Sequence, residues 1–232
     1  MGTATTNTGP KTKEWANAKR RATLWAKGGG GDTGSGAGGV VSAAATALAA
    51  GGGLLGSAGP RAGQRLAGLL SGFASTGVAP TLEARGLEHL VGLTGNDLLV
   101  ALVDYVAGDQ AGLESVAVRR AADAVFAEII DELDAGDIAL DEERVERLLE
   151  LFWGSYIISI VLQALDKSLM DAAPADAVRL RDEISATVLA LLEHHLDGRS
   201  VLTIDWTGEE GFRIMDEIRT ETIFVVRGNE GE

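Results

Sequence analysis

The stretch LFWGSYIISIVLQAL, residues 151–165, is the longest run of large apolar residues without a charged side chain. Glu150 and Asp166 flank it, and it is shorter than the about 20 apolar residues that a membrane-spanning helix needs. Both features are typical of a helix in the core of a folded protein. Asp141 can cap the first turn of this helix and so marks its start. The sequence therefore predicts a buried core helix over residues 142–169.

Helical periodicity continues on both sides of this central helix. Before it, apolar residues from Val118 to Leu133 recur at steps of 7, 4 and 4, which predicts a helix over residues 113–134. After it, residues from Leu180 to His195 recur at steps of 4, 4, 3 and 4, which predicts a helix over residues 175–196. Shorter helices are predicted over residues 12–27, 40–50, 60–73, 96–106 (after a Thr94 capping box) and from an N-cap at Thr81.

Two short segments near the C-terminus have the composition of strands. Val201–Trp206 (VLTIDW) and Thr222–Val226 (TIFVV) are rich in β-branched and aromatic residues, and a short helix is predicted between them over residues 211–220. The sequence therefore predicts a mainly α fold: a helical bundle with a flexible Gly-rich N-terminal region and a small C-terminal β element.

The composition excludes several kinds of chemistry. The 232 residues include no Cys and three His, which excludes disulfides, thiol chemistry and Cys-ligated zinc and leaves few ligands for a His-based metal site. The net charge is −14, but residues 1–86 carry nine Lys and Arg against three acids, whereas residues 87–232 carry eleven against thirty-one. The acidic body should repel phosphates, so contact with nucleic acid is expected only from the basic front.

Composition shifts divide the chain into four predicted segments. Residues 1–39 form a flexible tail with a short basic helix and a Gly-rich linker, and residues 40–80 an Ala/Gly-rich, partly helical segment. Residues 81–200 form the acidic helical bundle, and residues 201–232 a small α/β extension. No secretory leader and no transmembrane segment are predicted, so a cytoplasmic location is expected.

Motifs that would carry catalysis do not have the required surroundings. The segment GSGAGG, residues 34–39, fits the dinucleotide pattern G-x-G-x-x-G, but no strand precedes it and no acid lies between Asp32 and Glu83. A P-loop lysine is absent from the sequence. His194 and His195 are adjacent and point about 100° apart on a helix, so they cannot easily share a metal ion. We therefore predict that the chain is not an enzyme and uses no cofactor or metal.

The basic helix over residues 12–27 is the first candidate for a binding site. Trp15, Arg20, Arg21 and Trp25 combine the two residue types that dominate interface hot spots, which favours a partner-binding surface. The same residues suit phosphate binding with aromatic stacking. A surface helix that packs both tryptophans onto its own body is the third interpretation, and the sequence leaves all three open.

The N-terminus is the second candidate site. Removal of Met1 would expose the α-amine of Gly2, whose ordinary pKa near 8 leaves a nucleophilic fraction at neutral pH. The short polar residues that follow suit insertion into the active site of another protein. Met1 to Thr6 also fit the loose myristoylation pattern M-G-x-x-x-[ST], which would make the chain a membrane-associated module that needs the basic helix as a second signal.

The layout of the chain resembles a known family. The Met1-Gly2-Thr3 start, the basic helix, the Gly-rich run, the turn Gly92-Leu93-Thr94-Gly95 and the acidic helical body are similar to the B component of the bacterial Qat antiphage defence system. The resemblance covers residues 1–196 and leaves the C-terminal extension outside.

This resemblance implies a function and a set of partners. The partners would be the ATPase of the system, a QueC-like enzyme and a TatD-like nuclease. The chain would be a non-enzymatic substrate whose Gly2 receives a deazaguanine-type base from the QueC-like partner. The alternative function is a membrane- or nucleic-acid-associated adaptor that uses the basic N-terminal helix.

Overall fold

The computed structural model describes residues 12–27, 37–50, 56–109, 112–136, 138–170, 173–192 and 201–227. This part of the chain contains nine α-helices and two short 3₁₀ turns, at Glu88–Leu90 and Val201–Thr203. The helices are α1 (Lys13–Lys27), α2 (Ala37–Ala49), α3 (Ala58–Thr76), α4 (Val78–Ala84), α5 (Gly95–Ala107), α6 (Leu113–Ala135), α7 (Glu142–Met170), α8 (Pro174–Leu192) and α9 (Glu209–Arg227). The prediction of a mainly α fold is confirmed.

Helix α7 is the central element, as the apolar run predicts. It contacts α1, α3, α6 and α8, and inside the core the Trp153 ring meets the rings of Phe152 and Tyr156 edge to face. By length and composition alone, Glu142–Asp166 is the one helix of the described part that could cross a membrane, but 67% of its apolar window is buried within the fold. Its apolar residues are therefore used to pack the other helices.

Glycines let α3 approach its neighbours closely. A Cβ at Gly59 would lie 2.8 Å from the Tyr156 ring, and a Cβ at Gly63 would lie 3.0 Å from Trp153 and from Met215. Both distances are shorter than ordinary van der Waals contact. Further along the helix, Gly68 faces Arg85 and Gly72 faces Thr81. Helix α3 therefore makes room for side chains from α4, α7 and α9 and from the residue after α4.

The predicted helix ends are partly correct. Gly136 adopts a left-handed conformation with φ of 68° and ends α6, and Asp141 accepts a hydrogen bond from the Arg144 backbone N–H at 2.9 Å. Thr94 precedes α5, but its side chain makes no capping bond, and the Asp134 carboxylate binds the Gly95 N–H instead. The prediction that Thr81 is an N-cap is wrong. Helix α4 begins at Val78, before Thr81, and the Thr81 hydroxyl donates to the Gly77 carbonyl.

The predicted C-terminal β element is also wrong. Val201–Thr203 form a 3₁₀ turn, and the whole of Glu209–Arg227, including the TIFVV segment, is helical. Met215, Ile218 and Thr222 follow one another at helical spacing and are all buried. Burial of this face against α2, α3 and α8 outweighs the β propensity of Thr222–Val226.

One buried core joins helices from all four predicted segments. It contains side chains of α1 and α2 as well as of α3 to α9. The boundaries of the four segments stay a prediction. Much of the linker over residues 28–39, and the tail over residues 1–11, lie outside the described residues.

Candidate functional site

The residues predicted to bind a partner lie on helix α1, whereas Gly2 lies outside the described residues. Trp15 and Trp25 are 0% and 1% exposed and belong to the core, together with Ala18 and Ala22. These four residues follow one another at steps of 3, 4 and 3, which is one face of a helix. Both tryptophans pack into the core of the chain itself. This is the placement expected from the third interpretation, in which a surface helix packs onto its own body.

Two contacts fix the C-terminal half of α1 on the neighbouring helices. The Arg179 guanidinium of α8 lies over the Trp25 ring, 4.7 Å from its centroid, and is held there by an ion pair with Asp176. Cation–π contacts of this kind are worth about 0.5–2 kcal/mol. Arg21 donates a hydrogen bond to the Gly39 carbonyl of α2 at 3.4 Å. Arg21 is half-buried, and this hydrogen bond connects α1 with α2.

The opposite face of α1 is free of such packing. Lys13, Ala16, Arg20 and Leu24 are exposed and follow one another at steps of 3, 4 and 4. We call these four residues the α1 basic face. Of the predicted partner-binding residues, Arg20 alone lies on it.

A polar cluster that the sequence did not single out lies where α3 begins. The Glu114 carboxylate of α6 accepts hydrogen bonds from the Gly56 N–H at 3.0 Å, the Gly59 N–H at 3.0 Å and the Tyr156 hydroxyl at 2.8 Å. Arg219 of α9 donates to the Gly56 carbonyl at 2.7 Å. We call these five residues the Glu114 cluster. Ser57 makes no side-chain capping bond, so Glu114 caps α3 from another helix.

The sequence signal for this cluster is weak. Glu114 stands in the first turn of a helix, where an acidic residue is ordinary. Tyr156 is the one hint, because its hydroxyl lies within the apolar run and a buried tyrosine usually needs a hydrogen-bond acceptor.

The chemistry of the Glu114 cluster is structural. Burial, followed by the neighbouring Glu114 charge, raises the pKa of Tyr156 far above its ordinary value near 10, so the hydroxyl stays protonated and donates. The Glu114 oxygens already accept three hydrogen bonds. Within the described ranges, no group of three or more His, Cys, Asp or Glu side chains could hold a metal ion. The hydrogen bonds of the cluster connect α3, α6, α7 and α9 with one another.

The Tyr156→Phe variant is expected to be less stable at pH 7 by about 1 kcal/mol, since Glu114 loses one donor. The raised pKa of Tyr156 means that only the unfolded chain ionises above pH 10, so the wild type loses up to about 1.4 kcal/mol per pH unit from this group. Urea unfolding at pH 7 and above pH 10 measures both effects. The variant should show a shallower alkaline decline, and equal declines in both proteins would contradict the assignment.

Comparison with known protein families matches residues 56–226 to the family described as Qat anti-phage system associated protein QatB. The chain belongs to this QatB family. The matched range covers more than half of the chain and includes every residue of the Glu114 cluster. No curated protein matches the chain, and no solved structure does.

The matched range corrects the extent of the expected resemblance. It begins at residue 56 and includes helix α9, so the C-terminal extension is part of the QatB family region. The turn Gly92–Gly95 lies inside it, whereas the tail, the basic helix and the Gly-rich run lie outside it. Family membership makes the chain a component of an antiphage defence system.

Proposed function

We propose that the chain is a non-enzymatic, cytoplasmic component of a Qat antiphage system and the substrate of a QueC-like partner, which conjugates a deazaguanine-type base to the Gly2 amine. It acts together with the ATPase of the system, and a TatD-like nuclease is a further partner. The observation that carries this proposal is the QatB family match over residues 56–226.

The placement of α1 supports a substrate role for the N-terminus. Trp15 and Trp25 anchor α1 in the core, so residue 12 has a fixed position at the surface. Nine residues lie between Gly2 and Thr12, so ten Cα-to-Cα steps join them, and a fully extended chain of that length spans at most about 35 Å. This reach is enough to place the amine in the active site of a separate protein while the helical body stays outside.

The conjugation is an acyl transfer to an amine. The lone pair of the Gly2 nitrogen attacks the carbonyl carbon of a carboxyl group that the partner has activated on the base. A C–N bond forms, the activating group leaves with its electron pair, and the nitrogen loses a proton. Because glycine has no side chain, nothing next to the amine obstructs this attack.

The burial of both tryptophans argues against the alternative of a nucleic-acid adaptor. Base stacking needs exposed aromatic faces, and Trp15 and Trp25 are 0% and 1% exposed. The acidic body would repel the phosphates in addition. A protein partner is therefore the better interpretation of the exposed cations on α1.

The test is mass spectrometry of the chain co-expressed with its genomic neighbours. The wild type is expected to lack Met1 and to carry the added base on Gly2. The Gly2→Leu variant is expected to keep Met1, to carry no base and to lose protection against phage completely, with unchanged helical circular dichroism. Gly2→Ala is the matched control, because alanine is small enough to allow removal of Met1 and tests conjugation alone.

Two results would contradict the proposal. One is a free Gly2 amine in cells that are protected against phage. The other is full protection by the Gly2→Leu variant.

A further inference from the structure

The α1 basic face contrasts in charge with the acidic body of the chain. Residues 87–232 carry eleven basic and thirty-one acidic residues, whereas the α1 basic face presents Lys13 and Arg20 and no acid. The Lys13 side chain is 93% exposed, and its ion pair with the adjacent Glu14 spans 3.7 Å, a pair of the kind that contributes little. Arg20 donates to Asn17 at 3.2 Å and, among the described residues, forms no ion pair.

The α1 basic face is also held rigidly. Trp15, Ala18 and Trp25 are buried on the reverse side of the same helix, and Arg179 covers the Trp25 ring. Binding of a partner to Lys13 and Arg20 therefore requires no loss of conformational entropy to order the helix, which is the advantage of a preorganised surface. The exposed Leu24, at 45%, adds an apolar contact at the end of the face.

The position of the α1 basic face along the chain connects it with the N-terminus. Lys13 is the first residue of α1, and the eleven residues before Thr12 attach directly to this end of the helix. A protein that takes Gly2 into its active site therefore lies within about 35 Å of Thr12, at the end of the helix that carries this face.

We propose that the α1 basic face is a docking site for an acidic surface of the enzyme that modifies Gly2. This inference rests on the proposed function and adds the surface that recruits the enzyme, separate from the modified residue. A protein is favoured over nucleic acid, because two exposed cations and a buried pair of tryptophans offer neither a phosphate track nor a stacking platform. Docking raises the concentration of the tail at the active site and so lowers KM.

The test compares two double charge reversals in the full-length chain. Lys13→Glu with Arg20→Glu alters the α1 basic face, and Arg120→Glu with Arg147→Glu is the matched control on exposed positions of α6 and α7. Both variants change the net charge equally. Binding of each protein to the purified QueC-like partner and the kcat and KM of Gly2 modification are measured at low and high salt.

The α1 variant is expected to bind the partner about tenfold more weakly and to raise KM by the same factor, with kcat unchanged, since exposed interface charges act mainly on association. At high salt, the affinity and KM of the wild type should approach those of this variant, because salt screens the charges. The control should equal the wild type.

Three results would overturn the docking site: equal KM and affinity for the α1 variant and the wild type, an equal loss in the control, or no binding of the wild type. A loss of binding to a single-stranded oligonucleotide with unchanged binding to the partner would also overturn it. Charge-dependent binding without any modification of Gly2 would support the docking site and contradict the proposed conjugation.

Discussion

Replacing Trp15 with alanine is expected to lower the free energy of unfolding by about 3–5 kcal/mol, the usual cost of truncating a buried tryptophan. The side chain is fully buried, and α1 contacts α2, α7 and α8. Alanine would leave a cavity that neighbours fixed on three helices cannot fill. Urea unfolding followed by far-UV circular dichroism measures the effect without relying on tryptophan fluorescence.

Leu24→Ala is the matched control on the same helix. Leu24 is 45% exposed, so its loss is expected to change stability by less than about 0.5 kcal/mol. The pair of variants also separates the interpretations of the tryptophans. If Trp15 bound a partner and did not pack in the core, Trp15→Ala would leave the stability of the isolated chain unchanged and weaken only the complex.

Replacing Glu114 with alanine is expected to cost about 2–4 kcal/mol, because buried donors left without an acceptor each carry a desolvation penalty. The variant would leave the Gly56 and Gly59 N–H groups and the Tyr156 hydroxyl unpaired. Tyr156 and Gly59 are buried, whereas Gly56 is exposed and can recover a bond from water. The same urea unfolding experiment measures this loss.

Two further variants make the Glu114 result specific. Glu114→Gln keeps one acceptor oxygen, so its free energy of unfolding should fall by about half as much as that of Glu114→Ala. Asp123→Ala removes an exposed acid of the same helix and should leave the free energy of unfolding almost unchanged. Combining Glu114→Ala with Tyr156→Phe should cost less than the sum of the two single changes, since both remove the same hydrogen bond. Additive costs would show that the two side chains act independently.

Helices with strong apolar periodicity could be predicted from the sequence. The apolar run over residues 151–165 and the repeat from Val118 to Leu133 place α7 and α6 almost at their observed bounds. Gly136 and Asp141 mark the ends between them, because their roles depend on neighbouring backbone alone. The capping of α5 by Asp134 could not be predicted, because it joins residues 39 positions apart.

The C-terminal segment shows where local propensity fails. Thr222–Val226 is rich in β-branched residues, yet the helical spacing of Met215, Ile218 and Thr222 buries one face against three other helices. A short window around TIFVV contains only the end of that face. The longer helical pattern is visible only when the segment is extended back to residue 211, across the polar residues between.

The candidate sites show a similar limit. The spacing of Trp15 and Trp25 indicates that one side of α1 is covered, but it does not tell whether the cover is the chain itself or a partner. The Glu114 cluster combines residues from α3, α6, α7 and α9, so no local pattern contains it. Tertiary contacts decide both questions.

The glycines of α3 have a consequence for how this sequence can diverge. Gly59 leaves the space that the Tyr156 ring fills, and Gly63 leaves the space that Trp153 and Met215 share. A larger residue at either position fits only if the facing side chain becomes smaller at the same time. Change along α3 is therefore tied to change in α7 and α9, and we expect related chains to differ at these places in pairs of residues.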